Sequence, residues 1–185
     1  MYLQNKTIRL RALEPSDLDL LYVWENDTSA WDQGCAAAPF SARLLGDYLA
    51  GYSADIFADG QLRLVVEEIP TGIATGLVDL CDLDMLNRRV QTGVFIDPAF
   101  RGRGYGRDAL KLMAEYALRR IGLRQVWAVV GGDAPASQRL VESAGFHAGA
   151  VLPRWLRRGT EWVDGLLYQI FDDDDAPLGN AGPSE

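Results

Sequence analysis

The stretch DPAFRGRGYGRDAL, residues 97–110, decides how the chain is read. Three glycines and three arginines fall within its seven central residues. An apolar run, Val94, Phe95 and Ile96, precedes it. Leu110, Met113, Ala114, Ala117 and Ile121 follow on one face at helical spacing. The order is therefore strand, glycine-rich loop, amphipathic helix. At a helix start the first N–H groups lack partners and the helix dipole is positive, so an anion is welcome there. Glycine carries no Cβ and lets the backbone approach a bulky diphosphate. Arg101, Arg103 and Arg107 can pair with its oxygens.

Working outward, residues 7–11 alternate apolar and charged side chains, as a half-buried strand does. Ser16 with Asp19 approximates a capping box for a helix over residues 17–26. A second helix starts at Ser41 and buries Leu44, Leu45, Tyr48 and Leu49. Residues 62–67 and 72–82 flank a Pro70-Thr71-Gly72 turn and read as a hairpin. A turn at Asn87-Arg88 leads into a strand over 90–96. Gly122 closes the central helix. A strand over 125–130, a short helix over 135–143 stopped by Gly145, and strands over 147–153 and 161–171 complete the chain. This is a β-α-α-β-β-β-α-β-α-β-β order, α/β (α+β) in class, with a mixed, mostly antiparallel sheet and one βαβ unit. A single domain over 1–171 and an acidic, disordered tail over 172–185 are expected.

The bulk numbers exclude several functions. Formal charge is −8, and five of the 26 acidic residues lie in the last fourteen positions. The remainder is mildly acidic, which argues against nucleic acid as a partner. No long apolar run or signal-like start is present, so a cytoplasmic protein without a membrane partner is expected. Two cysteines, Cys35 and Cys81, and one histidine, His147, give no zinc set and no serine-type triad, so no metal is expected.

Three phosphate templates compete for the loop. A Walker loop needs Gly-Lys-Ser/Thr, whereas Gly106 precedes Arg107-Asp108. A dinucleotide fingerprint matches Gly104-Tyr-Gly106-Arg-Asp-Ala109, with Asp133 beyond the next strand, and remains a runner-up. It suits the chain less well because residues 98–101 separate strand from turn and no further βαβ units follow. The third template is Arg101-x-x-Gly104-x-Gly106. About 40 residues later comes a second block, Ser137-Gln-Arg-Leu-Val-Glu-Ser-Ala-Gly145-Phe146. Together with the terminal strand from Trp162 and the opening Ile8-Arg-Leu-Arg-Ala-Leu-Glu-Pro-Ser-Asp17, these blocks resemble the GNAT N-acetyltransferases. The branch most similar in look is that of the spermidine and ribosomal-protein enzymes, to which Leu77-Val-Asp79-Leu and Arg88-Arg89 add.

The resemblance implies a fold in which the strand at 94–96 splays from the strand at 125–130, with acetyl-CoA as co-substrate between them. It implies cofactor contacts from Val94, Phe95, Ile96, Arg101, Gly102, Arg103, Gly104, Tyr105, Gly106, Arg107 and Ser137. A backbone N–H near Phe95 is expected to hold the thioester carbonyl oxygen. The position where relatives carry an acidic tyrosine is Val141, the usual helix-opening asparagine is Ala134, and a frequent glutamate is Gln91. Tyr105, Tyr168 or water are the remaining proton donors, and Asp79, acting through water, is the expected base. Asp79, Asp82 and Asp84 are read alternatively as attractors of a cationic amine or as solvated strand and turn residues. Trp24 and Trp31 are read as core or as acceptor-pocket walls. The function implied is transfer of acetyl to a primary amine (a small amine or polyamine, an antibiotic or a protein N-terminus) by direct attack, by an enzyme compatible with a homodimer. An acyl-CoA-binding protein with little turnover is the alternative.

Overall fold

The computed structural model describes residues 3–27 and 38–172. One seven-stranded sheet runs through it: β1 (Ile8–Arg11), β2 (Leu62–Glu68), β3 (Ala74–Asp84), β4 (Arg89–Ile96), β5 (Gln125–Gly131), β6 (His147–Arg158) and β7 (Glu161–Phe171). The spatial order is β1-β2-β3-β4-β5-β7-β6. All neighbours are antiparallel except β4 and β5. A single parallel pair removes the dinucleotide alternative, which needs a largely parallel sheet.

Strand alternation divides the core. Ile8, Leu10, Leu64, Val66, Val78, Leu80 and Val90 point to one face, where they meet α4 (Tyr105–Glu115) and α5 (Pro135–Ser143). Val65, Leu77 and the half-buried Phe95 point to the other, under α1 (Leu18–Glu25) and α2 (Ala42–Gly51). Each fully buried aliphatic side chain contributes roughly 1.5–3 kcal/mol of transfer free energy. α4 continues as a wider π-helical turn over Tyr116–Ile121 and stops at Gly122, whose φ of +81° suits glycine.

Several local expectations shift. The first helix is capped two residues before Ser16: a 3₁₀ turn, Pro15–Asp17, precedes it with Glu14 as its cap, and the Glu14 N–H donates to Asp17 Oδ2 at 2.8 Å. Asp17 takes this place because Arg11 grips its carboxylate with two further bonds of 2.8 Å. Ser41 does cap α2, accepting from the Leu44 N–H at 3.1 Å, yet Leu44 is exposed and only Leu45 is fully buried there. A one-turn helix, α3 (Ile56–Asp59), was not expected; Asp55 caps it through the Phe57 N–H. β6 extends to Arg158 because a bulge around residues 153–155, fixed by Arg154 N–H to Asp164 Oδ1 at 2.8 Å, absorbs Pro153. Asp172, expected to open the tail, is held by Arg119 at 2.5 Å. Trp31, Cys35 and the rest of the acidic segment lie outside the described residues.

The feature that positions the site is the β4–β5 pair. Its ladder holds only Arg89↔Gln125, Val90↔Val126 and Gln91↔Trp127. Beyond Gln91 the two strands part, while β4 stays paired with β3 through Ile96. Residues 92–96 thus have one flank of backbone facing a gap.

Candidate active site

The glycine-rich loop sits at the end of this opening. After β4, Asp97 caps a 3₁₀ turn, Pro98–Phe100, by accepting from the Ala99 N–H at 2.9 Å. Its other oxygen accepts from the Trp24 indole N–H at 2.9 Å, which ties α1 to the strand end. Trp24 also packs on Phe95, ring centroids 5.8 Å apart, so it is core rather than an open pocket wall. Arg101 turns back and donates to the Ile96 carbonyl at 3.0 Å. Gly102 and Gly104 adopt φ of +78° and +85°, conformations that disfavour side chains. Gly104 opens α4, and no side chain caps that helix start. Its first N–H groups are therefore left for a ligand. Gly106 has a different task. A Cβ there would stand 3.3 Å from both Ile96 and Leu140, so glycine lets α4 seat tightly on β4 and α5. Arg103 lies over the Phe100 ring at 5.1 Å, and exposed Arg107 pairs with Asp108 at 2.8 Å.

Strand parity corrects one expectation. The Asp97 N–H donates to Thr75 in β3, and the carbonyl of Phe95 also points at β3, toward Gly76. The carbonyl of Arg88 accepts from Arg124 and Gln125 on the β5 side. Alternation with no register break from Gln91 to Ile96 then turns the amides of Val94 and Ile96 toward the gap, and that of Phe95 away from it. Gly76 is what allows β3 so close: a Cβ would lie 2.1 Å from the Phe95 oxygen.

Neither tyrosine expected as a proton donor is available. Tyr105 is buried, and its hydroxyl donates to Glu68; that bond, with burial, raises its pKa. Tyr105 can offer a ligand only its backbone. Tyr168 is buried against α5, where its hydroxyl donates to Glu142 at 3.0 Å. Burial, then the carboxylate, raises its pKa too. Val141 is core, and Ala134 opens α5 without a capping side chain. Ser137 stands half-buried in the first turn of that helix. The residue that ties α5 to the splayed end of β5 is Gln138, whose amide donates to the carbonyls of Gly131 and Gly132 at 3.0 and 3.1 Å. Its place within the Ser137-to-Phe146 block was the only sequence signal for it.

Asp79 is on the face opposite α4, in a row across the sheet: Arg63↔Asp79 and Asp79↔Gly93. Arg63 donates to Asp79 from Nε at 2.7 Å and from its terminal nitrogen at 3.1 Å, and to Glu25 at 2.5 Å. Burial works against the Arg63 charge, but the two carboxylates outweigh it and its pKa is raised. Tyr48 stacks on Tyr52 beside this cluster, and burial pushes its pKa to about 12. Among the described residues, one guanidinium between two carboxylates leaves the cluster net negative. Asp84 is a turn residue that binds Asn87 and Arg89, and Asp82 is exposed at the bulge with φ of +52°. Gln91 and Trp127 close the last rung before the gap. A cavity of about 680 Å³ lies elsewhere, between the C-terminal half of α4 and β7, and includes exposed His147.

A loop that presents bare helix amides, a pair of parting strands and an adjacent carboxylate face are suited to a long anionic cofactor and a basic acceptor. Against known proteins, residues 7–147 match the family model described as acetyltransferase (GNAT) domain. The chain belongs to the GNAT acetyltransferase family. Spermidine N(1)-acetyltransferase of Vibrio cholerae is 25% identical over 145 residues, 77% of this chain and 80% of that one. The L-methionine sulfoximine/L-methionine sulfone acetyltransferase of Salmonella typhimurium is 32% identical over 116 residues, 61% and 66% of the two chains. The crystal structure of the Vibrio cholerae spermidine N-acetyltransferase in complex with CoA and spermine shares the fold, with a TM-score of 0.77, 23% identity and coverage of 90% and 96%. This GNAT chain is thus an acyltransferase that uses acetyl-CoA and transfers acetyl to an amine. No described helix is long and apolar enough to cross a membrane.

Proposed function

We propose that the acceptor is a cationic primary amine of the polyamine class, and that it meets the thioester at the β4–β5 gap from the Asp79 face. The observation that carries this reading is the cross-sheet row, which sets a carboxylate of a net negative cluster beside the opening. The spermidine enzymes among the relatives support it.

The diphosphate of acetyl-CoA fits the bare start of α4 and the loop of Arg101, Gly102, Arg103 and Gly104, with Arg107 at its edge. The pantetheine arm then follows the free flank of residues 92–96, and Ser137 lies on the helix across the gap. The Val94 N–H, with that of Ile96 beside it, is the donor for the carbonyl oxygen. Backbone dipoles already fixed in place stabilise the developing oxyanion without reorganising. The reacting ammonium first gives up a proton to solvent water, and the neutral nitrogen then attacks the carbonyl carbon: the C–N bond forms, the carbonyl is restored, and the C–S bond breaks with its electron pair on sulfur. The proton lost by nitrogen passes through water to the thiolate, giving the amide and free CoA thiol. A thiol of ordinary pKa, about 8.5, leaves without a strong acid, so the core position of Val141 is compatible with turnover. Asp79 gives both oxygens to Arg63, so its role here is to accept a hydrogen bond from the amine and to stabilise the positive charge that grows on nitrogen, in place of abstracting a proton through water.

Release of free CoA thiol measured with a panel of amines tests the proposal. Polyamines should accelerate it most, and Asp79→Asn should raise their KM while leaving acetyl-CoA affinity unchanged. Equal rates with cationic and neutral acceptors, or an unaltered KM in the variant, count against it.

A further inference from the structure

Gly93 is the one exposed position in the interior of β4, and it faces the Asp79 side of the sheet. A Cβ built there meets no atom of the described residues within 4 Å, and its φ lies outside the left-handed region, so among them neither strain nor crowding demands glycine. Its neighbours on the same face, Gln91 and Phe95, carry large side chains, and Phe95 is covered by Trp24. Across one flank lies Asp79; across the other β5 has departed. The result is a notch one residue wide in the wall between the carboxylate and the gap.

We propose that this notch is the seat of the acceptor's reacting CH₂–NH₂ group, and that the missing side chain at Gly93 is what keeps the seat open. The inference rests on the amine-acceptor reading above. Directly opposed residues place their Cβ atoms about 4.5–5.5 Å apart, so an amine over Gly93 lies within hydrogen-bond reach of the Asp79 carboxylate and at the edge of the opening. Side chains two apart along a strand are about 6.6 Å from one another, so Gln91 and Phe95, on either side of Gly93, stand about 13 Å apart and leave room over residue 93 for one group the size of a side chain. Any side chain at residue 93 would occupy the seat itself. Gly93 acts by leaving this space empty and has no chemical part in the step.

The test measures acetylation of 1,4-diaminobutane by the wild type, Gly93→Ala and Gly93→Val, with acetyl-CoA affinity measured in parallel. Gly93→Ala should raise KM for the diamine by about tenfold with kcat largely kept, and Gly93→Val should remove diamine turnover, while acetyl-CoA affinity stays within about twofold. Wild-type KM in a variant that binds acetyl-CoA normally overturns the seat. If Gly93→Val loses acetyl-CoA binding, the alanine variant, whose added methyl meets no atom, decides. If diamines are not acetylated but another primary amine is, the polyamine reading fails and the same KM comparison is made with that amine. If no primary amine turns over, both proposals fall.

Discussion

Gly104 and Arg63 show how differently single residues could be read. Gly104 was legible because its role is local: a helix start that must approach a diphosphate needs both a positive φ and no Cβ. Gly104→Val should cost about 1–3 kcal/mol through backbone strain and weaken acetyl-CoA binding at least tenfold, read by calorimetry on a variant that keeps its far-UV spectrum. Arg63 carried no signal, since its partners lie 38 and 16 residues away and meet it only through the sheet register and the docking of α1. Removing it leaves two carboxylates without their shared cation. Arg63→Met should therefore lower stability by about 3–5 kcal/mol in urea unfolding, far more than a surface arginine would. The Phe95 amide was misplaced for a related reason. Spacing shows that a strand runs through 94–96, but which amides face which neighbour depends on the hydrogen-bond phase of the whole ladder.

Elements were legible where periodicity and punctuation agreed. α4 and its stop at Gly122, the β2–β3 hairpin and α5 closing before Gly145 all follow from apolar spacing bounded by glycine or proline. The first cap slipped because a long-range partner, Arg11, made Asp17 the better acceptor, and β6 was cut short at Pro153 because a bulge can absorb a proline. Ala134 is the residue that precedes α5, and its side chain caps nothing. Ala134→Asn should stabilise the protein by about 1 kcal/mol and raise Tm by a few degrees, because it supplies the missing acceptor to the first turn. An unchanged or lowered Tm would mean that the turn after Gly131 cannot accommodate that side chain.

Across the whole molecule, the sheet is open where the chemistry is proposed and stapled where it is not. At the far edge Arg11 joins Asp17 to Glu67, and Arg9 reaches the same glutamate. Burial works against ionisation of Asp17, but the Arg11 bonds and the Glu14 amide lower its pKa overall. A lowered folded-state pKa gives stability that is present above the ordinary aspartate value, about 3.9, and lost as pH falls through the folded value. The urea midpoint should therefore drop on acidification, and Asp17→Asn should start lower at neutral pH and lose less. The fold was recoverable from sequence because two motif blocks fixed the order of strand, loop and helices. The acceptor side was not, because its charge pattern is assembled from α1, β2, β3 and β4.

The central claim is that acetyl passes from a cofactor held in the β4–β5 gap to a cationic amine on the Asp79 face. The most direct measurement is the rate of free CoA thiol release from acetyl-CoA with and without spermidine, with the product identified by mass. The account predicts spermidine-dependent, stoichiometric release and a singly acetylated amine. Tight acetyl-CoA binding with no acceleration by spermidine would contradict it.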